Sequence, residues 1–85
     1  MHTVELLEQA LVVAQSLDYK VRHDWFDGLG GACEIRGQKW LFLDLALSPA
    51  EQLELVLETL RSDPQLAPEA ISPELQPWLP WRRSA

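Results

Sequence analysis

The sequence predicts one α+β domain with the element order α-β-β-β-α, and three observations lead to that prediction. Apolar residues recur at spacings of three and four near the N-terminus and again after residue 48, which is the period of an amphipathic helix. Between these segments apolar and polar residues alternate, which is the period of a strand. Glycines interrupt the alternation twice, so we expect a three-stranded antiparallel meander packed on two helices.

The first helix is predicted from Thr3, whose hydroxyl can cap it, to about Asp18. Its apolar stripe is Val4, Leu7, Leu11, Ala14 and Leu17. The strands are predicted at residues 19–25, 32–36 and 39–45. Glycine in the first position of Gly37-Gln38 indicates a two-residue type II′ hairpin between the second and third strands.

The hairpin fixes which side chains share a face of the predicted sheet. It pairs Ile35 with Trp40 and Cys33 with Phe42, so these four residues form one apolar face. The other face carries Leu41, Leu43 and Leu45. We expect the C-terminal tail or a second subunit to cover those leucines.

The second helix has a strong start signal. Ser48 and Glu51 form a capping box around Pro49, which suits the first helical position. The buried stripe is Leu53, Val56, Leu57 and Leu60, and the helix should end at Ser62-Asp63-Pro64. We therefore expect a core domain of residues 1–63.

Residues 64–85 form an extended tail rich in proline and tryptophan, with one short helical turn predicted from Ser72. Its apolar residues, Trp78 and Trp81 among them, favour docking on the core, because so small a domain has little core of its own. Two alternatives remain. Residues 77–82 have the PxxPxR spacing of a polyproline ligand, and tryptophans followed by Arg82-Arg83 suit a membrane interface.

Composition excludes several classes of function. The net charge is −6 and the basic residues are scattered, which argues against nucleic acid as a partner. No apolar run approaches the roughly 20 residues that span a bilayer. The single cysteine, Cys33, cannot form an internal disulfide, and the N-terminus lacks a basic signal region, so we expect a cytoplasmic protein.

Candidate chemistry is sparse. Cys33 and His23 are the candidate catalytic residues of a thiol-dependent or small-ligand-binding activity, since a reactive thiol needs a neighbouring base. A metal site needs three or four converging ligands, and only His23, Cys33 and Asp44 could be grouped, so we expect no metal and no cofactor.

These observations favour a non-catalytic protein-interaction or structural module over an enzyme. The expected partner is another protein or a second copy of the chain. The candidate interaction residues are Leu41, Leu43, Leu45, Trp78 and Trp81.

The motifs G-G-A-C-E-I-R-G, W-L-F-L-D and L-S-P-A-E-Q-L, within Leu17 to Leu60, together resemble a family of short bacterial proteins. That family has no assigned activity, so the resemblance implies a fold and no function. More distantly, the order of helix, hairpin and helix is similar to the core of zincin-type metallopeptidases. The positions of their His-Glu-x-x-His motif read Glu51-Gln52-Leu53-Glu54-Leu55 here, so that resemblance implies a core without metal or peptidase activity.

Overall fold

The computed structural model of the chain describes residues 3–27, 30–67, 69 and 71–79. Its elements, in chain order, are helix α1 (Thr3–Ser16), strands β1 (Tyr19–Asp24), β2 (Gly31–Ile35) and β3 (Gln38–Asp44), helix α2 (Pro49–Ser62) and a short 3-10 helix (Gln76–Trp78). The α+β class and the order α-β-β-β-α are therefore confirmed. Within the described residues, neither helix is long and apolar enough to cross a membrane.

Helix α2 begins where the sequence predicts, because Ser48 and Glu51 form a reciprocal cap. The Ser48 hydroxyl accepts a hydrogen bond from the Glu51 N–H at 3.2 Å, and Glu51 Oε1 accepts one from the Ser48 N–H at 2.9 Å. Pro49 occupies the first helical position, where its missing N–H costs nothing. The helix ends at Ser62, and Asp63 then adopts an extended backbone, also as predicted.

The sheet is mixed, so the predicted antiparallel meander is wrong. Strand β3 lies in the centre and pairs in parallel with β1 and antiparallel with β2. The central position suits β3, which carries the most large apolar side chains, whereas the charged Lys20 and Arg22 of β1 suit an edge. The segment between β1 and β2 therefore leads from one edge of the sheet to the other instead of forming a hairpin.

The hairpin between β2 and β3 turns at Arg36-Gly37, one residue earlier than predicted. Both residues have positive φ, 53° and 79°, which is the combination of a type I′ turn. Cys33 therefore pairs with Trp40 instead of Phe42. The pairing is displaced by two residues along β3, so every side chain stays on the face that the sequence predicts.

The helices cover the face of the sheet that carries Leu41 and Leu43, which corrects the predicted arrangement. Both leucines are 0% exposed and lie in the core. The parallel register of β1 explains the choice, because it aligns Val21 with Leu41 and Lys20 with Trp40. Helices packed on the tryptophan face would have to desolvate charged side chains of β1. Leu41 and Leu43 are thus buried within their own chain, without a second subunit.

One core joins both helices, β3 and the segment 71–79. Its fully or nearly fully buried apolar side chains are Leu6, Leu7, Ala10, Val13, Ala14, Leu17, Leu41, Leu43, Leu53, Val56, Leu57, Leu60, Ile71, Leu75 and Leu79. The segment 71–79 also hydrogen-bonds both helices. The Ser72 hydroxyl donates to Gln9 of α1, and Arg61 of α2 donates to the carbonyl oxygen of Trp78 at 3.2 Å.

Candidate binding face

No helix or strand in the described part of the chain covers the face of the sheet turned away from the helices, although Phe26 of the segment between β1 and β2 packs on one end of it. We call this surface the open face. It consists of three rows, one for each strand: Lys20 and Arg22 on β1, Trp40 and Phe42 on β3, and Cys33 and Ile35 on β2. None of these side chains belongs to the core or to the partly buried residues packed against it. The open face is therefore separate from the core, with its own apolar contacts.

Aromatic rings occupy the middle of the open face. The rings of Trp40 and Phe42 are stacked, with centroids 5.6 Å apart and planes inclined by 2°. The ring of Phe26, from the segment after β1, stands edge-on to Phe42 at a centroid distance of 5.4 Å. Aromatic pairs at such distances are favourable by about 0.5–1.5 kcal/mol beyond the area they bury. Ile35, in the neighbouring row on β2, is 47% exposed.

Cations line the β1 side of the aromatic rows. Lys20 Nζ lies 5.8 Å from the centroid of the Trp40 ring, which is within the distance of a cation–π contact. Arg22 Nη2 lies 3.4 Å from Asp24 Oδ2, but both side chains are about half exposed (61% and 46%). An exposed pair of this kind contributes at most about 1 kcal/mol and leaves the guanidinium available.

The exposed acidic side chains of the helices lie on the other side of the sheet. They are Glu5, Glu8, Glu51, Glu54 and Glu58. The chain has a net charge of −6, yet the strand residues of the open face include the two exposed cations Lys20 and Arg22, and Asp24 beside them is paired with Arg22. Charge is therefore divided between the two sides of the molecule.

A second polar cluster lies on the helix side of the sheet. Asp63 Oδ2 accepts hydrogen bonds from the Tyr19 hydroxyl at 2.9 Å and from Lys39 Nζ at 3.0 Å, and Asp63 Oδ1 accepts one from the Gln65 N–H at 2.8 Å. Burial, then the hydrogen bond to Asp63, raises the pKa of Tyr19 to about 12. Burial alone would raise the pKa of Asp63, but the hydrogen bonds from Gln65, Lys39 and Tyr19 outweigh it and lower that pKa.

This cluster has a structural role. It lies along an open groove of about 1110 Å³ between α2 and the β2–β3 hairpin. Every buried side-chain nitrogen or oxygen in the described residues has a hydrogen-bond partner. The three side chains hold the C-terminal end of α2 against the start of the sheet.

The predicted catalytic pair is not brought together. His23 lies on β1 and Cys33 on β2, which are opposite edges of the sheet with β3 between them. Their side chains also lie on opposite faces, because His23 aligns with Leu43 and Cys33 with Trp40. Cys33 is exposed, and no group of three His, Cys, Asp or Glu residues within the described ranges could hold a metal ion.

The predicted interaction residues differ in how far they are exposed. Leu41 and Leu43 are buried in the core and cannot contact a partner, whereas Leu45 is 43% exposed and Trp78 is 40% exposed. Trp81 lies outside the described residues. The sequence predicts Trp40 and Phe42 on one apolar face of the sheet but does not single them out as interaction residues, and it predicts no site at Lys20 or Arg22. The alternation of β1 did contain a signal, since its charged residues share one face, but only the parallel pairing shows which residues of β3 they adjoin.

The chain was compared with protein-family models, with curated proteins and with solved structures, and none of them matches. The resemblance described above therefore stays a prediction. What the chain does has to be inferred from its own geometry.

Proposed function

We propose that this chain is a cytoplasmic, non-catalytic module that binds another protein through the open face. The observation that carries the proposal is the aromatic cluster of Phe26, Trp40 and Phe42, which lies outside the core on a surface that no described element covers. A domain of 85 residues has few large apolar side chains available for its core. The three rings are partly buried against one another on the opposite side of the sheet, and a partner would bury the rest of their surface.

The composition of this face resembles that of protein-binding sites. Interfaces are enriched in aromatic residues and arginine near their centre, and truncation of a central anchor commonly costs 2 kcal/mol or more. Here Trp40 is central, and Lys20, Arg22 and Ile35 surround it on the two edge strands. The rings also stabilise one another, so little side-chain entropy remains to be lost on binding.

The enzymatic alternative centred on Cys33 and His23 has no geometric support, because the two residues lie on opposite edges and opposite faces of the sheet. The polyproline-ligand alternative lies partly outside the described residues, since Pro80 and Arg82 do. Of the part that is described, Leu79 is 3% exposed and is held in the core.

Comparative affinity capture tests the proposal. The full-length chain, a Trp40→Ser variant and a Trp78→Ser control are each used to capture proteins from the source organism. Trp78 is a matched control because it is a partly exposed tryptophan on the helical side of the molecule. We expect at least one protein that the native chain and the control retain and that Trp40→Ser loses, with a loss of affinity of roughly thirty-fold when that protein is purified.

Two further measurements make the comparison decisive. Circular dichroism must show that Trp40→Ser is folded, and Ile35→Ser, at an exposed edge position, serves as a second variant of the same face. The proposal is wrong if every captured protein binds the native chain and both open-face variants equally well.

A further inference from the structure

We infer that the partner presents an acidic, apolar polypeptide segment to the open face, with its carboxylates over β1 and its apolar side chains over β3 and β2. This inference rests on the proposed function and adds the chemistry of the partner. It follows from the order of the three rows, which is cationic, aromatic and aliphatic across the sheet.

The spacing of the rows predicts on which side of the bound segment its acidic residues lie. Neighbouring strands lie about 4.8 Å apart, so the β1 and β2 rows are separated by roughly 10 Å, which is close to the width of one helix or two extended strands. A segment lying along β3 would place one flank over Lys20 and Arg22 and the other over Ile35. Only the β1 flank offers charge, so acidic residues should be confined to one side of an otherwise apolar surface.

A second copy of the chain is a poor occupant of this face. Two open faces packed together would bring the four cations of their β1 strands into one interface, and the β1 acid of each copy, Asp24, already contacts Arg22. Packing an open face on the acidic helices of another copy would pair the charges, but such a head-to-tail contact builds a ring or an open filament, which light scattering of the free chain detects.

Nucleic acid also fits poorly. Bases stack well on exposed aromatic rings, but binding depends on a track of cations along the phosphates. The open face supplies only Lys20 and Arg22, and the net charge of −6 opposes the approach of a polyanion. A short carboxylate-bearing segment needs only one or two cations, so the charge pattern favours it.

Peptide display tests the inference without knowledge of the natural partner. A library of random 12-residue peptides on phage is selected on the full-length chain, and binders that also bind Trp40→Ser are removed. We expect the remaining peptides to combine aromatic or aliphatic residues with a surplus of Asp and Glu over the unselected library. The same selection on a Lys20→Glu/Arg22→Glu variant should yield a surplus of Lys and Arg instead.

Affinity measurements complete the test. A synthetic peptide from the first selection should lose roughly ten-fold in affinity for the Lys20→Glu/Arg22→Glu variant, as two partly exposed charge pairs would give. Binding of a single-stranded oligothymidylate tests nucleic acid as the occupant of the open face. Light scattering of the free chain tests a second copy of the chain. Both side chains replaced in the variant are exposed, so the variant should fold, which circular dichroism checks.

The outcomes test the acidic partner separately from the open face as a protein-binding surface. Trp40-dependent peptides without an acidic surplus would overturn the acidic partner and leave the interaction module intact. Trp40-dependent binding of the oligothymidylate, or concentration-dependent assembly of the free chain that Lys20→Glu/Arg22→Glu abolishes, would overturn the polypeptide partner. No Trp40-dependent peptide at all would count against the open face as a protein-binding surface.

Discussion

At Tyr19, one hydroxyl group joins the start of the sheet to the end of helix α2. It donates to Asp63 at 2.9 Å, and the pKa of Tyr19 is raised from its ordinary value of 10.0 to about 12. Because the folded state holds this proton more tightly than the unfolded chain, its contribution to stability is complete below pH 10. The contribution is lost as the pH rises from about 10 to 12. We expect Tyr19→Phe to lower the free energy of unfolding at pH 7 by about 1 kcal/mol and to remove this part of the pH dependence.

Urea unfolding of both chains between pH 7 and pH 12 measures the effect. Ile71→Val is a suitable control, because it weakens the core to a similar degree without changing any titrating group. The difference between the native chain and Tyr19→Phe should shrink above pH 10, whereas the difference for Ile71→Val should stay constant. Parallel curves for all three proteins would contradict the role of Tyr19. The pH dependence that Asp63 contributes runs in the opposite direction. Folding lowers the pKa of Asp63 from its ordinary value of 3.8, so the stability from its ionised carboxylate is present above pH 3.8 and is lost as the pH falls below that value.

At the scale of elements, the connection between β1 and β2 depends on one glycine. A Cβ atom on Gly30 would lie 2.7 Å from the carbonyl oxygen of Phe42 and 3.4 Å from the backbone nitrogen of Asp44. Both atoms belong to the central strand, so neither can move without disturbing the sheet. We expect Gly30→Ala to lower the free energy of unfolding by roughly 2 kcal/mol or more through this overlap.

The comparison for this glycine is Gly37, where a Cβ would meet nothing within 4 Å but φ is +79°. Gly37→Ala should therefore cost only about 1 kcal/mol, from backbone strain alone. Equilibrium denaturation of both variants gives the two costs. A Gly30→Ala protein as stable as the native chain would show that the connection does not pass against β3 at this point.

The elements themselves were predictable because their signals are local. The capping box of Ser48 and Glu51 and the period of the helical stripes each depend on residues within one or two turns. The pairing of the strands was not predictable in the same way. The sequence of residues 27–31 does not distinguish a hairpin from a connection that crosses to the other edge of the sheet. The Arg36-Gly37 turn differs from the predicted turn by a single residue.

For the molecule as a whole, the sequence does not predict which face of the sheet the helices cover. Strand β3 is apolar on both faces, with Leu41 and Leu43 on one and Trp40 and Phe42 on the other. Its own pattern therefore cannot choose between them. The charges of β1 decide, but they act only through a parallel neighbour that the sequence does not identify. For this reason the sequence predicts the interaction surface at Leu41 and Leu43, which are buried, and not at Trp40 and Phe42.

The segment 71–79 decides whether the chain is one cooperative unit or a domain with a detachable peptide. Leu75 is 0% exposed and lies in the core with both helices, whereas Trp78, three residues later, is 40% exposed. If the segment is part of the fold, Leu75→Ala leaves a cavity in the core and should lower the free energy of unfolding by about 2–5 kcal/mol. Trp78→Ala should change it by less than about 1 kcal/mol.

Urea unfolding of the two variants, followed by tryptophan fluorescence and by circular dichroism, distinguishes the two arrangements. In one cooperative unit, both probes report the same transition and Leu75→Ala shifts both to lower urea. In a domain with a detachable peptide, Leu75→Ala would leave the circular dichroism transition of the helices unchanged. Because Leu75 contacts the layer that also covers Leu41 and Leu43, we expect its loss to weaken the packing beneath the sheet. The open face would then lose its support together with the core, although no residue of the open face had been altered.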